Sequence, residues 1–267
     1  MFELVASYDT INLHRSGAAV KLELNRPERL NALSDELAGQ LLVLLQEVAE
    51  DPSARSVLIT GAGRAFCGGA DIRQPAADGT ARPEVRKILG EVYHPILRTI
   101  RQMPKPVICA ANGAVAGVGN SLALGADLVI AAESAYFLLA YVNIGIAPDG
   151  GTFLLAASRM GFARATEMAM LGERISARQA LDWGLINQVW PDTELQARAE
   201  ELALRMANGP TRSYAGIKRE LNNSIFAQLD EALEVEIQVM TELRATADAA
   251  EGRAAFAEKR AAQFIGR

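Results

Sequence analysis

The sequence predicts an α/β fold with a layered core of parallel strands and a helical C-terminal region. Through residues 1–191, short apolar strand patterns alternate with turns and helical patterns, which is typical of a parallel sheet covered by helices. From residue 192 onward the strand patterns cease, and apolar residues recur at helical spacing. At 267 residues the chain is long enough to bury a full hydrophobic core. We therefore expect an α/β core over 1–191 and a helical region over 192–267.

A β-hairpin and a helix are expected first. The segment INLHRSGAAVKLELN alternates apolar and polar residues, and its RSG suits a hairpin turn. Ser34 can cap a helix whose first turn carries Asp35 and Glu36, two acids that are favourable at the positive end of a helix. The apolar stripe of this helix consists of Leu37, Leu41, Leu44 and Val48.

Repeated strand–turn–helix units form the rest of the predicted core. The buried-strand patterns are SVLIT, PVICAA and LVIAA, at residues 56–60, 106–111 and 128–132. Helices are expected over 117–125 and from the GIAPDGGT turn to about residue 160. In ISARQALDWGLINQVW, Ser176 and Gln179 form a capping box, and Gly184 ends the helix before a further strand.

The C-terminal region carries a long apolar stripe at helical spacing. Its members are Leu229, Leu233, Ile237, Met240 and Leu243. Such a stripe packs either on the chain's own core or on a neighbouring subunit, and the pattern alone leaves both open.

Composition and charge disfavour several classes of function. With 27 basic and 32 acidic residues, the net charge of −5 argues against nucleic acid or an anionic membrane as the main partner. Cys67 and Cys109 fit neither a disulfide framework nor a CxxC motif, so we expect reduced thiols in a cytoplasmic protein. His14 and His94 lack zinc-ligand spacing, which predicts a metal-free protein. Neither a signal peptide nor a membrane span is expected.

Two glycine-rich stretches stand where predicted strands end, FCGGAD at 66–71 and NGAVAGVGN at 112–120. Neither matches the dinucleotide motif GxGxxG or the phosphate-binding loop, so nucleotide sites of those kinds are disfavoured. Glycine runs let a ligand approach the backbone closely, and two N–H groups that converge on one oxygen form an oxyanion hole. Tight packing between layers is the alternative explanation for each stretch.

Six segments carry a resemblance to a known family. They are NRPERLNAL, GAGRAFCGGADI, KPVICAANGAVAGVGNSLALGADLVIAAESAYF, GIAPDGGT, ALDWGLINQV and EGRAAFAEKR, in this order across most of the chain. Together they resemble the enoyl-CoA hydratase/isomerase (crotonase) family, and the C-terminal third looks most similar to the phenylacetate-pathway-type enoyl-CoA isomerases. The resemblance implies a crotonase-like spiral of ββα turns, a C-terminal helical trimerisation region, and homotrimers or hexamers made of two trimers. It also implies an acyl-CoA thioester substrate, with no cofactor apart from its coenzyme A.

The resemblance also implies site residues. Family members hold a thioester enolate between two backbone N–H groups, which by position belong to Ala70 and Val118 here. Valine stands where the family often has glycine, and its side chain is expected to narrow the pocket. The implied substrate-binding residues are Arg26, Arg29, Leu30 and Ala32 in one loop, Asp71 and Ile72, Phe137 and Tyr141 near the acyl group, and Phe256 and Lys259 near the nucleotide.

Alternatives remain for several of these residues. Arg26 and Arg29 also fit a solvated turn, and Phe137 and Tyr141 also fit core packing. Lys259 can belong to the site of its own chain or to that of a neighbouring subunit.

The segment GIAPDGGT, residues 145–152, separates the two reactions of the family. Hydration uses two carboxylates in the family, and their positions fall on Ser121 and Tyr141, which cannot deprotonate water near neutral pH. Isomerisation needs a single acid, which the isomerase branch carries in this turn, and Asp149 matches it. Apolar surroundings would raise the pKa of this carboxyl by desolvation. An ordinary Pro-Asp-Gly surface turn is the alternative interpretation.

The function implied first is therefore an enoyl-CoA isomerase that shifts a 3-double bond to the 2-position, in fatty-acid or phenylacetate catabolism. A hydratase that uses Asp149 with a second acid not evident in the sequence is one alternative. A non-catalytic acyl-CoA-binding protein, which the absence of both hydratase acids favours, is the other.

Overall fold

The computed structural model describes residues 1–71 and 84–267, so Ile72, a predicted substrate-binding residue, lies outside the described residues. The strands, in chain order, are β1 (Glu3–Ser7), β2 (Ile11–Ser16), β3 (Ala19–Leu24), β4 (Ser56–Gly61), β5 (Ala65–Cys67), β6 (Val107–Ala111), β7 (Ala114–Ala116), β8 (Leu128–Ala132), β9 (Tyr136–Leu138), β10 (Ile175–Ser176) and β11 (Gln188–Trp190). The helices are α1 (Asp35–Glu50), α2 (Val85–Ile88), α3 (His94–Gln102), α4 (Gly119–Gly125), α5 (Thr152–Leu171), α6 (Ala177–Asp182), α7 (Asp192–Ala207), α8 (Thr211–Ser224), α9 (Leu229–Arg244) and α10 (Ala247–Glu258). A π-helical stretch, Leu89–Tyr93, joins α2 to α3, and short 3-10 turns occupy Pro27–Arg29 and Val142–Ile144.

The large sheet has the strand order β1-β2-β3-β4-β6-β8-β11. Strands β2 and β3 form the predicted antiparallel hairpin, with Ile11 opposite Leu24. Strands β3, β4, β6, β8 and β11 are parallel to one another. Every residue of β4 and β6 is buried, as expected for parallel strands that are covered on both faces. The predicted α/β class, hairpin and parallel core are therefore confirmed.

The small sheet, of order β10-β9-β7-β5, places three predicted site segments side by side. Strands β5, β7 and β9 are parallel neighbours. Gly68 follows β5 directly, Gly117 follows β7, and Tyr141 lies three residues after β9. Because the carboxyl ends of adjacent parallel strands meet at one edge, both glycine-rich stretches and the segment before Tyr141 come together there.

Two helix starts and one helix end match the predictions. The hydroxyl of Ser34 accepts a hydrogen bond from Leu37 N–H at the start of α1, and that of Ser176 accepts one from Gln179 N–H at the start of α6. The helix predicted to end at about residue 160 is interrupted directly after it, at Gly161, whose φ of 79° and ψ of 166° are not helical. A second helical segment, which the sequence reasoning did not predict, continues α5 from there to Leu171.

The C-terminal helices pack on the core of their own chain. Ser56, at the start of β4, donates a hydrogen bond of 2.8 Å to the carbonyl oxygen of Ala203 in α7. In α9 the predicted apolar stripe is turned inward, with Leu233 and Ile237 buried. In α10 a Cβ at Gly252 would lie 2.4 Å from the carbonyl carbon of Ile144, so only glycine allows this approach. The oligomerisation role of residues 192–267 stays a prediction.

An ion pair between a buried lysine and a partly exposed aspartate joins α8 to the core. Lys218 Nζ lies 2.8 Å from Asp127 Oδ2 and donates to the carbonyl oxygens of Ile100 and Lys105 at 2.9 and 3.1 Å. Arg101 Nη1 lies 3.2 Å from Asp127 Oδ1. Burial lowers the pKa of Lys218, and the charge of Asp127 opposes this effect. The lysine therefore connects a C-terminal helix to the sheet through a fully engaged ammonium group.

We expect Lys218→Ala to lower the free energy of unfolding by about 3 kcal/mol, because Asp127 loses one of its cationic partners and the carbonyl oxygens of Ile100 and Lys105 lose their donor. Arg219→Ala, at an exposed neighbour on the same helix, is the control and should change stability by less than about 0.5 kcal/mol. Urea denaturation followed by circular dichroism measures both. Equal effects of the two substitutions would contradict the structural role of Lys218.

Candidate active site

A cavity of ≈ 400 Å³ opens at the carboxyl edge of the small sheet. The two glycine-rich stretches, α2, the π-helical stretch and the C-terminal helices α9 and α10 all contribute to its wall. Predicted site residues that line it are Ala70, Asp71, Val118, Tyr141, Asp149 and Phe256. The structure therefore brings together residues that are separated by up to 186 positions in the chain.

Two glycine turns in contact shape one wall of this cavity. Gly69 has a φ of 97° and Gly117 a φ of 50°, both in the region that favours glycine. A Cβ at Gly69 would lie 3.0 Å from the carbonyl oxygen of Ala116 and 3.6 Å from the Cα of Gly117. The close approach leaves the following residues, Ala70 and Val118, on the same cavity wall.

The backbone N–H groups of Ala70 and Val118 are available to a ligand. Within residues 1–71 and 84–267, neither amide donates a hydrogen bond to the protein. Two such N–H groups at one wall can donate to a single oxygen atom and stabilise negative charge on it. The side chain of Val118 is 3% exposed, and its Cγ2 would lie 3.1 Å from a Cβ at Gly150. The valine thus fills space beside the PDGG turn.

Asp149 places a carboxylate inside the cavity wall, only 8% exposed. The hydroxyl of Tyr141 donates to its Oδ1 at 2.8 Å. Burial raises the pKa of Asp149 from 3.8 to about 7. The hydrogen bond from Tyr141 and the charge of Arg244 lower this pKa, whereas the charge of Glu236 raises it. Burial also raises the pKa of Tyr141, so its hydroxyl remains a donor. A carboxyl with a pKa near 7 can both accept and return a proton at neutral pH.

The turn that carries Asp149 is buried and held from several sides. Ser121 Oγ donates to the carbonyl oxygen of Gly150 at 2.6 Å, and Thr152 Oγ1 donates to that of Asp149 at 2.9 Å. Gly150 and Gly151 have φ values of 64° and 73°. The interpretation as an ordinary surface turn is wrong, because residues 149–152 are all buried. Ser121 and Tyr141, which the sequence reasoning placed at the positions of the hydratase acids, both bind this turn.

The predicted coenzyme A loop is stabilised by its own arginine. Arg26 donates to the carbonyl oxygen of Ala32 at 2.6 Å and lies 3.1 Å from Asp71 Oδ2. Leu30 has a φ of 55°, and its carbonyl oxygen accepts the N–H of Gly68. Arg29 is exposed, and the described part of the chain gives its guanidinium no partner. Arg26 therefore holds the loop in shape, while Arg29 remains available to a ligand.

Six predicted substrate-binding residues do not line the cavity, namely Phe137, Lys259 and the loop residues Arg26, Arg29, Leu30 and Ala32. Phe137 is fully buried in the core, because alternation along β9 turns it away from the side on which Leu138 lines the cavity. The prediction that Phe137 faces the acyl group is corrected accordingly. Lys259, with a φ of 56°, ends α10 outside the cavity wall, whereas Phe256 lines the cavity of its own chain.

Several site residues were missed by sequence reasoning. Met240, Arg244 and Arg253 line the cavity from α9 and α10. Glu236 binds the PDGG turn from α9, since both of its carboxylate oxygens lie 3.0 Å from Gly151 N. One signal was present: Glu236 falls within the inward stripe of α9, next to Ile237, where an acid is unexpected.

A second groove of ≈ 400 Å³ lies between α8 and the large sheet. Three charged residues of its wall, Arg101, Asp127 and Lys218, form ion pairs with one another.

Within the described ranges no three His, Cys, Asp or Glu residues are grouped so that they could hold a metal ion. No helix in those ranges has both the length and the apolar character of a membrane span.

Comparison with known proteins agrees with this arrangement. The profile of the family described as enoyl-CoA hydratase/isomerase matches residues 14–267. The chain is 43% identical over 256 residues to 1,2-epoxyphenylacetyl-CoA isomerase of Escherichia coli strain K12, which covers 95% of this chain and 97% of that protein. It is 35% identical to 2,3-dehydroadipyl-CoA hydratase of the same strain, over 100% of both. The solved structure of an enoyl-CoA hydratase from Mycobacterium avium subsp. paratuberculosis K-10 matches with a TM-score of 0.87 and 34% identity, over 97% of this chain and 100% of that one.

The fold is the crotonase fold, as the sequence predicted. The chain belongs to the enoyl-CoA hydratase/isomerase family, whose members act on acyl-CoA thioesters. The predicted family is confirmed, including the similarity to a phenylacetate-type isomerase. Isomerase and hydratase names both occur among the relatives, so the names do not separate the two reactions.

The buried Asp149 should make stability depend on pH. Its folded-state pKa of about 7 lies above the ordinary value of 3.8, so the folded chain binds this proton more tightly than the unfolded chain. Its stability contribution is therefore present at low pH and lost as pH rises toward 7. Asp149→Asn should therefore become more stable relative to the parent as pH rises from about 4 to 7. The change in the difference between their unfolding free energies should be on the order of 4 kcal/mol.

Urea denaturation at a series of pH values measures this difference. Asp182→Asn, at an exposed carboxylate of α6, is the matched control and should shift stability equally at every pH. A pH-independent difference for Asp149→Asn would show that the carboxyl is not perturbed by burial.

Proposed function

We propose that the protein is an enoyl-CoA isomerase that moves a 3-double bond to the 2-position through a thioester enolate. The observation that carries this proposal is the buried carboxylate of Asp149 in the cavity wall. Its turn is held by Tyr141 and Ser121, at the two positions where a hydratase of this family would have its acids. One acid that can be deprotonated and reprotonated is sufficient for isomerisation. Ser121 and Tyr141 do not supply the two carboxylates that would activate water.

The proposed reaction is a proton transfer in two steps. The Asp149 carboxylate removes a proton from C2, and the electron pair moves to the thioester oxygen, where the N–H groups of Ala70 and Val118 stabilise the enolate. The same carboxyl then protonates C4, and the double bond forms between C2 and C3. A pKa of about 7 suits this cycle, because the group must act first as a base and then as an acid. The reaction consumes no further reactant, so no cofactor is needed beyond the coenzyme A of the substrate.

The acyl end of the cavity favours an apolar substrate. Its wall includes Val85, Ile88, Leu89, Leu138 and Met240. The similarity to 1,2-epoxyphenylacetyl-CoA isomerase favours an aromatic-derived acyl group and a place in phenylacetate catabolism. A fatty-acid-derived 3-enoyl group fits the same apolar wall and the same chemistry.

The binding of coenzyme A is assigned to the loop that carries Arg29, together with the backbone near Asp71 and Phe256 of α10. We further propose a homotrimer or a hexamer of two trimers, since apolar side chains such as Phe162, Met170 and Ile217 remain exposed on the single chain. A cytoplasmic location is proposed because both cysteines are free thiols.

A hydratase is the second candidate, and Glu236 is the observation that favours it, as a carboxylate whose charge acts on Asp149. This carboxylate is engaged by the backbone of Gly151 and is not part of the cavity wall, so it is poorly placed to activate water. A non-catalytic acyl-CoA-binding protein would retain the loop and the cavity but would have no use for a carboxyl with a pKa near 7.

The proposed reaction is tested with a 3-enoyl-CoA and, separately, crotonyl-CoA, by following the absorbance of the conjugated thioester. We expect conjugation of the 3-enoyl substrate and no hydration of crotonyl-CoA. Asp149→Asn should lower kcat by about 100-fold or more, because it removes the only proposed acid and base. Asp182→Asn serves as the control and should retain the parent's kcat.

Each other outcome identifies a different function. Turnover of crotonyl-CoA would support the hydratase. Tight binding of acyl-CoA by both the parent and Asp149→Asn, with no turnover of either thioester, would support the binding protein.

We expect Arg29→Ala to raise KM for acyl-CoA about 3- to 10-fold with little change in kcat, because an exposed guanidinium near the phosphates contributes about 1 kcal/mol of binding free energy. The exposed Arg219→Ala is the control. Steady-state kinetics with a 3-enoyl-CoA measures both constants. An unchanged KM would assign Arg29 to the solvated turn instead.

A further inference from the structure

The carboxylate of Glu236 contacts the turn that carries Asp149. Both of its oxygens lie 3.0 Å from the backbone nitrogen of Gly151, which donates to them. Gly151 is the residue that precedes α5 as its N-cap, and the side chain of Glu236 reaches it from α9. The positive end of the α5 dipole attracts negative charge, so this contact is electrostatically favourable.

His94, at the start of α3, contacts the same carboxylate. Its Nε2 lies 3.4 Å from Glu236 Oε2, and the imidazole is 1% exposed. Among the described residues this nitrogen makes no hydrogen bond, so Glu236 is its nearest charged neighbour there. The glutamate is therefore held between α3 and the start of α5, with 13% of its side chain exposed.

We propose that Glu236 is a positioning residue for the isomerisation, which fixes the Gly150–Gly151 backbone and, through it, the carboxyl group of Asp149. This inference rests on the proposed function. Glu236 does not line the cavity and touches no reacting atom, so it acts only through its neighbour. The assignment gives α9, a helix of the C-terminal region, a direct part in setting the geometry of the site.

The charge of Glu236 has a second effect on the same carboxyl. Three ionisable groups act on Asp149: Tyr141 by its hydrogen bond, and Glu236 and Arg244 by their charges from α9. The negative charge of Glu236 opposes ionisation of Asp149, whereas Tyr141 and Arg244 favour it. Removing the negative charge while retaining the hydrogen-bond acceptor should therefore lower the pKa of Asp149.

Two substitutions separate the positioning effect of Glu236 from the effect of its charge. Glu236→Ala removes both the contact with Gly151 and the negative charge. It should lower kcat by about 10- to 100-fold with KM nearly unchanged, because the base loses its fixed position. Glu236→Gln keeps an oxygen that accepts the Gly151 N–H, and it should restore kcat to within about 3-fold of the parent. The acid limb of its kcat/KM profile should move to lower pH. Glu242→Gln, an exposed glutamate of the same helix, is the control.

A readout without turnover keeps this inference separate from the proposed function. Asp149→Asn is introduced into the parent and into Glu236→Gln, and urea denaturation at a series of pH values measures its effect on stability in each. The quantity compared is the pH midpoint at which Asp149→Asn becomes stabilising. A shift of that midpoint to lower pH supports the inference even if no 3-enoyl-CoA is isomerised, an outcome that would overturn the proposed function alone. An unmoved midpoint, or equal kcat values for Glu236→Ala and Glu236→Gln, would overturn the inference. If Glu236→Ala fails to fold, the shift of the pH midpoint in the Glu236→Gln background tests the inference on its own.

Discussion

The site depends on the burial of one carboxyl group, that of Asp149, away from water. Burial raises its pKa to about 7, and this value makes a single group usable as base and acid. The surrounding structure keeps the group buried: Tyr141 binds its side chain, and Ser121 and Glu236 bind the next two residues. Each of these contacts comes from a different segment of the fold. The site is therefore a property of the whole chain rather than of one motif.

The sequence was sufficient for the features that local patterns determine. Alternation predicted the hairpin, apolar runs predicted the parallel strands, and Ser34 and Ser176 were correctly identified as helix caps. The ordered motifs predicted the family, and with it the crotonase fold. These successes share one cause, since each depends on residues that are close in the sequence or on the order of motifs along the chain.

Features that depend on long-range packing were beyond the sequence. Phe137 and Leu138 are adjacent and both apolar, and only the placement of β9 decides which one meets the cavity. The break at Gly161 matched the predicted helix end, but the second helical segment of α5 beyond it was not predicted. Glu236 lies 85 residues after the backbone it binds, and no local pattern relates the two. Arg26 was predicted to bind substrate, whereas the fold engages it within its own loop.

The contact between Gly151 and Glu236 also has a consequence for biosynthesis. The strands that form both sheets are complete once Trp190 has been made, whereas α9 is synthesised later. The backbone beside Asp149 receives its partner only after residue 236 has been made. A nascent chain thus contains every strand of both sheets before it contains the side chain that binds the turn of Asp149.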